Sequence, residues 1–198
     1  MDSRTRLVEA TQDLLWEQGY SATSPKDIMR RSGAGQGSMY HHFTNKQELA
    51  VEALERSALS MRHDAEKLLA ADGSACEIAT AYLRRQRDVL KGCRMGRMTF
   101  DADVLNTPEL IEPVTRTFVW LIEALTVLFE RGRDQGEFAA DIDARNLASL
   151  VVATVQGGYV LARATRDTDA FDAAVEGAAA LLRKATEPLI TEVLDHSD

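Results

Sequence analysis

The stretch Ser24–Lys46, SPKDIMRRSGAGQGSMYHHFTNK, decides how the chain is read. Ser24 suits an N-cap, Pro25 the first helical position, and Asp27 stands three residues after the cap, where a short acid can close a capping box. Ile28 and Met29 give this helix an apolar side. Gly33-Ala34-Gly35 then breaks it, because glycine accepts the positive φ of a sharp turn. A second short helix is predicted over 36–43. Two helices joined by a three-residue, glycine-containing turn form the helix-turn-helix pattern, whose second helix enters the major groove of DNA.

The second helix carries suitable chemistry. Gln36, Ser38, Tyr40 and His41 can exchange hydrogen bonds with base edges and phosphates. Gly37 has no side chain, so the helix can lie close to a duplex. Asn45 caps a third helix, with Glu48 three residues on. The N–H groups of its first turn, with Lys46 beside them, suit a phosphate.

Working outward, residues 19–49, GYSATSPKDIMRRSGAGQGSMYHHFTNKQEL, resemble the TetR-like family of one-component bacterial repressors. The run Gly-Ser-Met-Tyr-His-His-Phe, two residues, then Lys-Gln-Glu-Leu is close to that family's signature from its third to its fourth helix. The resemblance implies an all-α fold. Residues 1–46 would form a three-helix, helix-turn-helix DNA-binding domain, and residues 47–198 a helical ligand-binding and dimerisation domain. It also implies roles. Gln36, Ser38, Tyr40 and His41 would contact bases or phosphates; Thr23, Ser24, Lys26, His42 and Lys46 would mainly hold the DNA backbone. Gly37 belongs to this face but reads nothing specific.

Composition fits this picture. An apolar fraction of 45% in 198 residues allows one or two ordinary cores. No apolar run approaches the roughly 18 residues expected of a membrane span, and the polar N-terminus is no signal peptide. Two cysteines, Cys76 and Cys93, make no disulfide framework and fit a reducing cytoplasm. The net charge of −8 is unequally placed: residues 1–50 carry six basic and six acidic groups, so the excess acid lies beyond them. Phosphate would be repelled by the body and met by the N-terminal end.

The remainder reads as helices, with no period-two alternation that would mark a strand. Leu7, Ala10, Leu14 and Leu15 form the apolar stripe of a helix over 4–18, packed on Ile28, Phe43 and Leu49. Further helices are predicted over 46–70 and 74–91, a short one within 93–105, then 108–135, 143–166 and from 169 toward 194. Pro188 should kink or end the last. Thr107-Pro108-Glu109 is a strong start signal.

Small residues crowd two of these helices: Ala148, Ala153, Gly157, Gly158 and Ala162, then Ala173, Ala174 and Ala178–Ala180. They suit a close helix seam, and two such helices from each of two chains would build a twofold four-helix interface. An effector pocket is expected among the helices at 46–70, 74–91, 108–135 and 143–166, lined by Met61, Tyr82, Met95, Met98, Phe100, Phe118, Trp120, Gln156 and Tyr159. Trp120 or Tyr159 is the expected aromatic anchor. Arg84, Arg87, Lys91 and Arg94 would share one face if the helix ran through Gly92, and could attract an anionic effector.

No histidine or cysteine cluster has metal spacing, and there is no phosphate loop or serine elbow. The sequence therefore calls for no cofactor and no catalysis. The leading expectation is a cytoplasmic, homodimeric repressor, released from a palindromic operator by a small molecule. The alternative keeps the same DNA-binding end but makes Cys93, between Lys91 and Arg94, a redox- or electrophile-sensing thiol.

Overall fold

The computed structural model describes residues 2–186, which form ten helices and, among those residues, no strand. These are α1 (Ser3–Gln18), α2 (Pro25–Ser32), α3 (Gln36–His42), α4 (Lys46–Leu69), α5 (Ala75–Arg84), α6 (Arg94–Met98), α7 (Ala102–Asn106), α8 (Pro108–Asp134), α9 (Ala144–Thr165) and α10 (Asp169–Ala185). The continuation toward residue 194, with Pro188, lies outside the described residues.

Local chemistry sets most of the boundaries. Asp2 caps α1, accepting from Thr5 N at 2.7 Å. The α2 capping box is complete: Ser24 Oγ accepts from Asp27 N, and the Asp27 carboxylate accepts from Ser24 N. The Ser24 hydroxyl, donating to Asp27 Oδ2 at 2.5 Å, and then the Ser24 N–H hold the Asp27 carboxyl below its ordinary pKa. Gly33 ends α2 at φ 67°, the left-handed turn that glycine permits. Asn45 caps α4, Ser74 and Glu77 close a second capping box on α5, and Asp143 caps α9.

Two apolar cores lie along α4. Leu7, Leu14, Ile28, Met39, Phe43, Leu49 and Leu54 pack the N-terminal head, together with Met95, Met98, Val104, Leu110 and Val114 from α6 to α8. Ala65 of α4 joins the second core, built from α5, α8, α9 and α10 around Tyr82, Leu125, Phe129, Val155 and Leu182. α4 is thus a rod shared by the head and the body.

Two helix expectations need correction. The helix starting at Ser74 ends at Arg84, not at Lys91, because Arg85 turns extended at ψ 146°. The Arg87 guanidinium folds back onto the end of α5 and donates to the carbonyls of Tyr82, Leu83 and Arg85. Those carbonyls have no further helical turn to receive, so Arg87 acts as their cap. The segment 93–105 holds two short helices, not one. Among the described residues, α9 is long and apolar enough to cross a membrane by length and composition, with mean hydropathy 1.3. One side of it packs on α8 and α10, while Leu150, Val160 and Leu161 are exposed.

The small-residue seam also divides. Ala148, Gly158, Ala162, Ala178 and Ala179 are buried within the chain, whereas Ala153, Gly157 and Ala173 are exposed. A Cβ built on Gly158 would meet Phe171 Cδ2 at 2.7 Å; one on Gly157 would meet nothing within 4 Å. Gly158 therefore closes the α9–α10 contact, and Gly157 faces outward.

Candidate functional site

α3 buries one side chain in the core. Met39 is fully buried in the head core, while Gln36, Gly37, Tyr40 and His41 are exposed and Ser38 and His42 half-buried. Gln36, Ser38, Tyr40 and His41 make no side-chain hydrogen bond with the described residues, so their donors and acceptors are available. Tyr40 is 48% exposed, a high value for an aromatic not committed to an interior. No Cβ stands at Gly37, and one placed there would meet nothing, so that turn is a bare approach surface.

The expected backbone-holding residues divide into free and engaged groups. Lys26 is exposed on α2 and in no ion pair with the described residues, free to meet a phosphate. Thr23 is buried, its hydroxyl donating to Gly19 O at 2.6 Å. Ser24 is occupied by the capping box, and His42 Nε2 is hydrogen-bonded to Ser3 Oγ at 2.8 Å. Lys46 Nζ donates to the carbonyls of Tyr20 and Thr23 at 3.1 and 3.0 Å and lies 3.8 Å from the centre of the Tyr20 ring. Burial lowers its pKa, against the pull of Asp103 and Asp101. Lys46 thus fastens the α1–α2 turn, so its ammonium is largely committed within the chain.

Head and body are tied by polar contacts. Asp101, the N-cap of α7, accepts from Ser21 N and Oγ at 2.8 and 2.5 Å. Trp16 Nε1 donates to Gly92 O, and Arg94 pairs with Asp13 while stacking on Trp16 at 4.1 Å. Gln12 Nε2 donates to Ser57 Oγ.

Beside these ties lies a cavity of about 380 Å³, bordered by Gln18 and Gly19, by Gly96, Arg97, Phe100 and Asp101, and by Gln156, Tyr159, Val160 and Arg163. Gly92, Cys93 and Tyr159 also border a second, more polar cavity of about 520 Å³ against α1 and α4, which reaches Met61. Of the expected lining residues, Gln156, Tyr159, Phe100 and Met61 border these spaces. Burial pushes the Tyr159 hydroxyl up to about 12, so it is a donor at neutral pH. Tyr82, Met95 and Met98 are buried in the cores instead, and Phe118 packs partly buried between them. Trp120 borders only a shallow surface groove of about 60 Å³, under the Arg62 guanidinium. The space opens where α1 meets α6 and α9, displaced toward the head from the expected position among α4, α5, α8 and α9.

The basic face expected at 84–94 is dispersed. Arg84 pairs with Glu176, Lys91 with Asp88 and Arg94 with Asp13, and Arg87 caps α5. Cys93 is the N-cap of α6, its Sγ accepting from Gly96 N at 3.3 Å, with Met61 Sδ 3.9 Å away. Lys91 and Arg94 turn away from it, toward Trp16 and their acids. Arg97 and Arg163 escaped the sequence reading. The signal for Arg163 was present: Gln156, Tyr159, Val160 and Arg163 recur at spacings of three, one and three along one side of a helix.

Comparison with known proteins agrees with this geometry. Residues 7–53 match the family described as bacterial regulatory proteins, tetR family, and residues 73–178 match the tetracyclin repressor-like C-terminal domain. The HTH-type transcriptional regulator YxaF of Bacillus subtilis is 25% identical over 190 residues, covering 92% of this chain and 96% of its own. A TetR transcriptional regulator from Chloroflexus aurantiacus superposes with a TM-score of 0.81 at 28% identity, over 91% of this chain and 93% of its own. A mutant of the TetR family regulator CifR, complexed with 26 bp double-strand operator DNA, shares the fold with a TM-score of 0.75 at 21% identity, over 89% and 94%.

Proposed function

The chain belongs to the tetR family of bacterial regulatory proteins, and from that premise we propose a ligand-responsive repressor rather than an enzyme, acting in the cytoplasm as a homodimer on a palindromic operator. The observation that carries the reading is the outer face of α3. Gln36, Ser38, Tyr40 and His41 are uncommitted there, on a helix pinned by Met39. Direct base readout needs such free hydrogen-bonding groups on a fixed element. Lys26 supplies phosphate attraction.

A small molecule enters the cavity between α1, α6 and α9. Because one wall is the end of α1 and another is α9, its occupancy biases how the head sits on the body. It releases DNA only in proportion to its preference for the non-binding arrangement. Selection from a random DNA pool should recover an inverted repeat. Gln36→Ala and Tyr40→Ala should then flatten the sequence preference, and Lys26→Ala should lower the salt slope by roughly one unit with the preference unchanged. A pool that yields no enriched sequence would defeat the reading.

A further inference from the structure

The cavity between α1, α6 and α9 holds two guanidinium groups, Arg97 and Arg163, neither in an ion pair with the described residues. Arg97 Nε is buried without a hydrogen-bond partner. Burial, reinforced by the like charge of Arg163, lowers the Arg97 pKa against the weaker pull of Asp101. The carboxylate in the lining, Asp101, is already engaged. It accepts from Ser21 N and Oγ and from the N–H groups of Asp103 and Val104. Burial raises its pKa, yet the contacts from Ser21, Val104 and Tyr20 together outweigh this and leave it lowered, hence charged at neutral pH. A partly buried cation with an unmet N–H beside a second cation is costly unless an anion neutralises the pair.

The remaining walls describe the rest of the ligand. Gln156 and Tyr159 offer an amide and a hydroxyl, and Gln156 Oε1 lies so close to Gly96 that a Cβ there would collide with it. Phe100, 78% exposed, and Val160 present apolar surface that no described residue covers. A volume of about 380 Å³ lies in the range of small-molecule sites, roughly 300–1,000 Å³.

We propose that the effector is an organic carboxylate with an apolar body, its charged end held by Arg97 and Arg163 and its body laid on Phe100 and Val160. This rests on the effector-responsive reading given above. The apolar walls disfavour a strongly hydrated phosphate, whereas a carboxylate matches the planar guanidinium fork. Gln18 and Gly19 close the space at the end of α1, so a ligand bridging the two arginines sits against the head's entry turn.

The test uses the full chain with phenylacetate, octanoate and inorganic phosphate, and with phenylacetamide and octanamide as uncharged partners. At least one carboxylate at millimolar concentration should raise the melting temperature and weaken binding to the selected operator, while its amide and phosphate do neither. Arg97→Gln and Arg163→Gln should melt near wild type without ligand and bind the carboxylate roughly tenfold more weakly. Exposed Arg163 keeps the test decisive should Arg97→Gln fold poorly. Amides acting as well as carboxylates, both variants responding like wild type, or no carboxylate raising the melting temperature would each overturn the proposal. A neutral compound that still released DNA would then leave the repressor reading intact. Conversely, a carboxylate-specific thermal shift without any operator binding would support the anion site and remove the repressor.

Discussion

Gly157 and Gly158 are neighbours in sequence with opposite surroundings, and their difference shows how finely residue identity is set here. Glycine in mid-helix costs about 1 kcal/mol relative to alanine, so each needs an offset. At Gly158 the offset is the Phe171 ring, 2.7 Å from where a Cβ would stand. Phe171 in turn packs on Tyr159, ring centres 5.1 Å apart. Gly158→Ala should therefore be destabilising: overpacking costs roughly 1–3 kcal/mol, more than the propensity gained. Gly157→Ala meets open space within the chain. It should be stabilising by up to about 1 kcal/mol in a monomeric background. Denaturant titration of the two variants in that background checks the sign. Equal stabilities would mean Phe171 yields freely and Gly158 has another cause.

At the scale of elements, α7 shows how a cap becomes a joint. Asp101 satisfies the first N–H groups of α7 and also holds Ser21, in the turn between α1 and α2. A carboxylate with a depressed folded-state pKa contributes stability above its unfolded value and loses it as pH falls through the folded one. Asp101→Ala should therefore cost about 1 kcal/mol at pH 7, the typical loss of an N-cap. The deficit should begin to narrow as pH falls past the unfolded carboxylate's value of about 4, and close only at the lower pH where the folded Asp101 carboxylate is itself protonated. Melting curves from pH 7 to pH 3 read this directly; a deficit independent of pH would assign the loss to packing. This joint was not legible in the sequence, because it pairs residues 80 apart whose types are ordinary in loops. The helix starts were legible, since caps at Ser24, Asn45, Ser74 and Asp143 act over three residues. The end of α5 was misplaced because Arg87, reading as one more helical cation, folds back to cap it. Lys46 shows the same limit: its position suits phosphate, but only the folded α1–α2 turn brings the carbonyls that occupy it.

At the scale of the molecule, the outer sides of α9 and α10 carry apolar residues that no described residue covers. Leu150, Gly157 and Leu161 on α9, with Ala173, Gly177 and Leu181 on α10, are exposed and recur at four- and seven-residue spacing. Leu161 and Leu181 are 50% and 60% exposed, too apolar a stripe to be balanced by its polar neighbours. A second copy related by twofold symmetry would cover it, since each chain would offer the same pair of helices to the other. Two heads would then be held at fixed separation, and each would strengthen the other's grip on an inverted repeat without new contacts to DNA. Leu161→Glu places a charge in this proposed seam without touching either core. It should give a monomer by sedimentation with the helical content of wild type. Operator affinity should fall by roughly 10²-fold or more, as the second head no longer binds at high effective concentration. Binding to a single half-site should change little, because α3 is untouched. A variant that still sediments as a dimer would move the interface off α9. A true monomer that keeps full affinity for the whole operator would mean that the two half-sites are read independently, and the palindrome would lose its explanation.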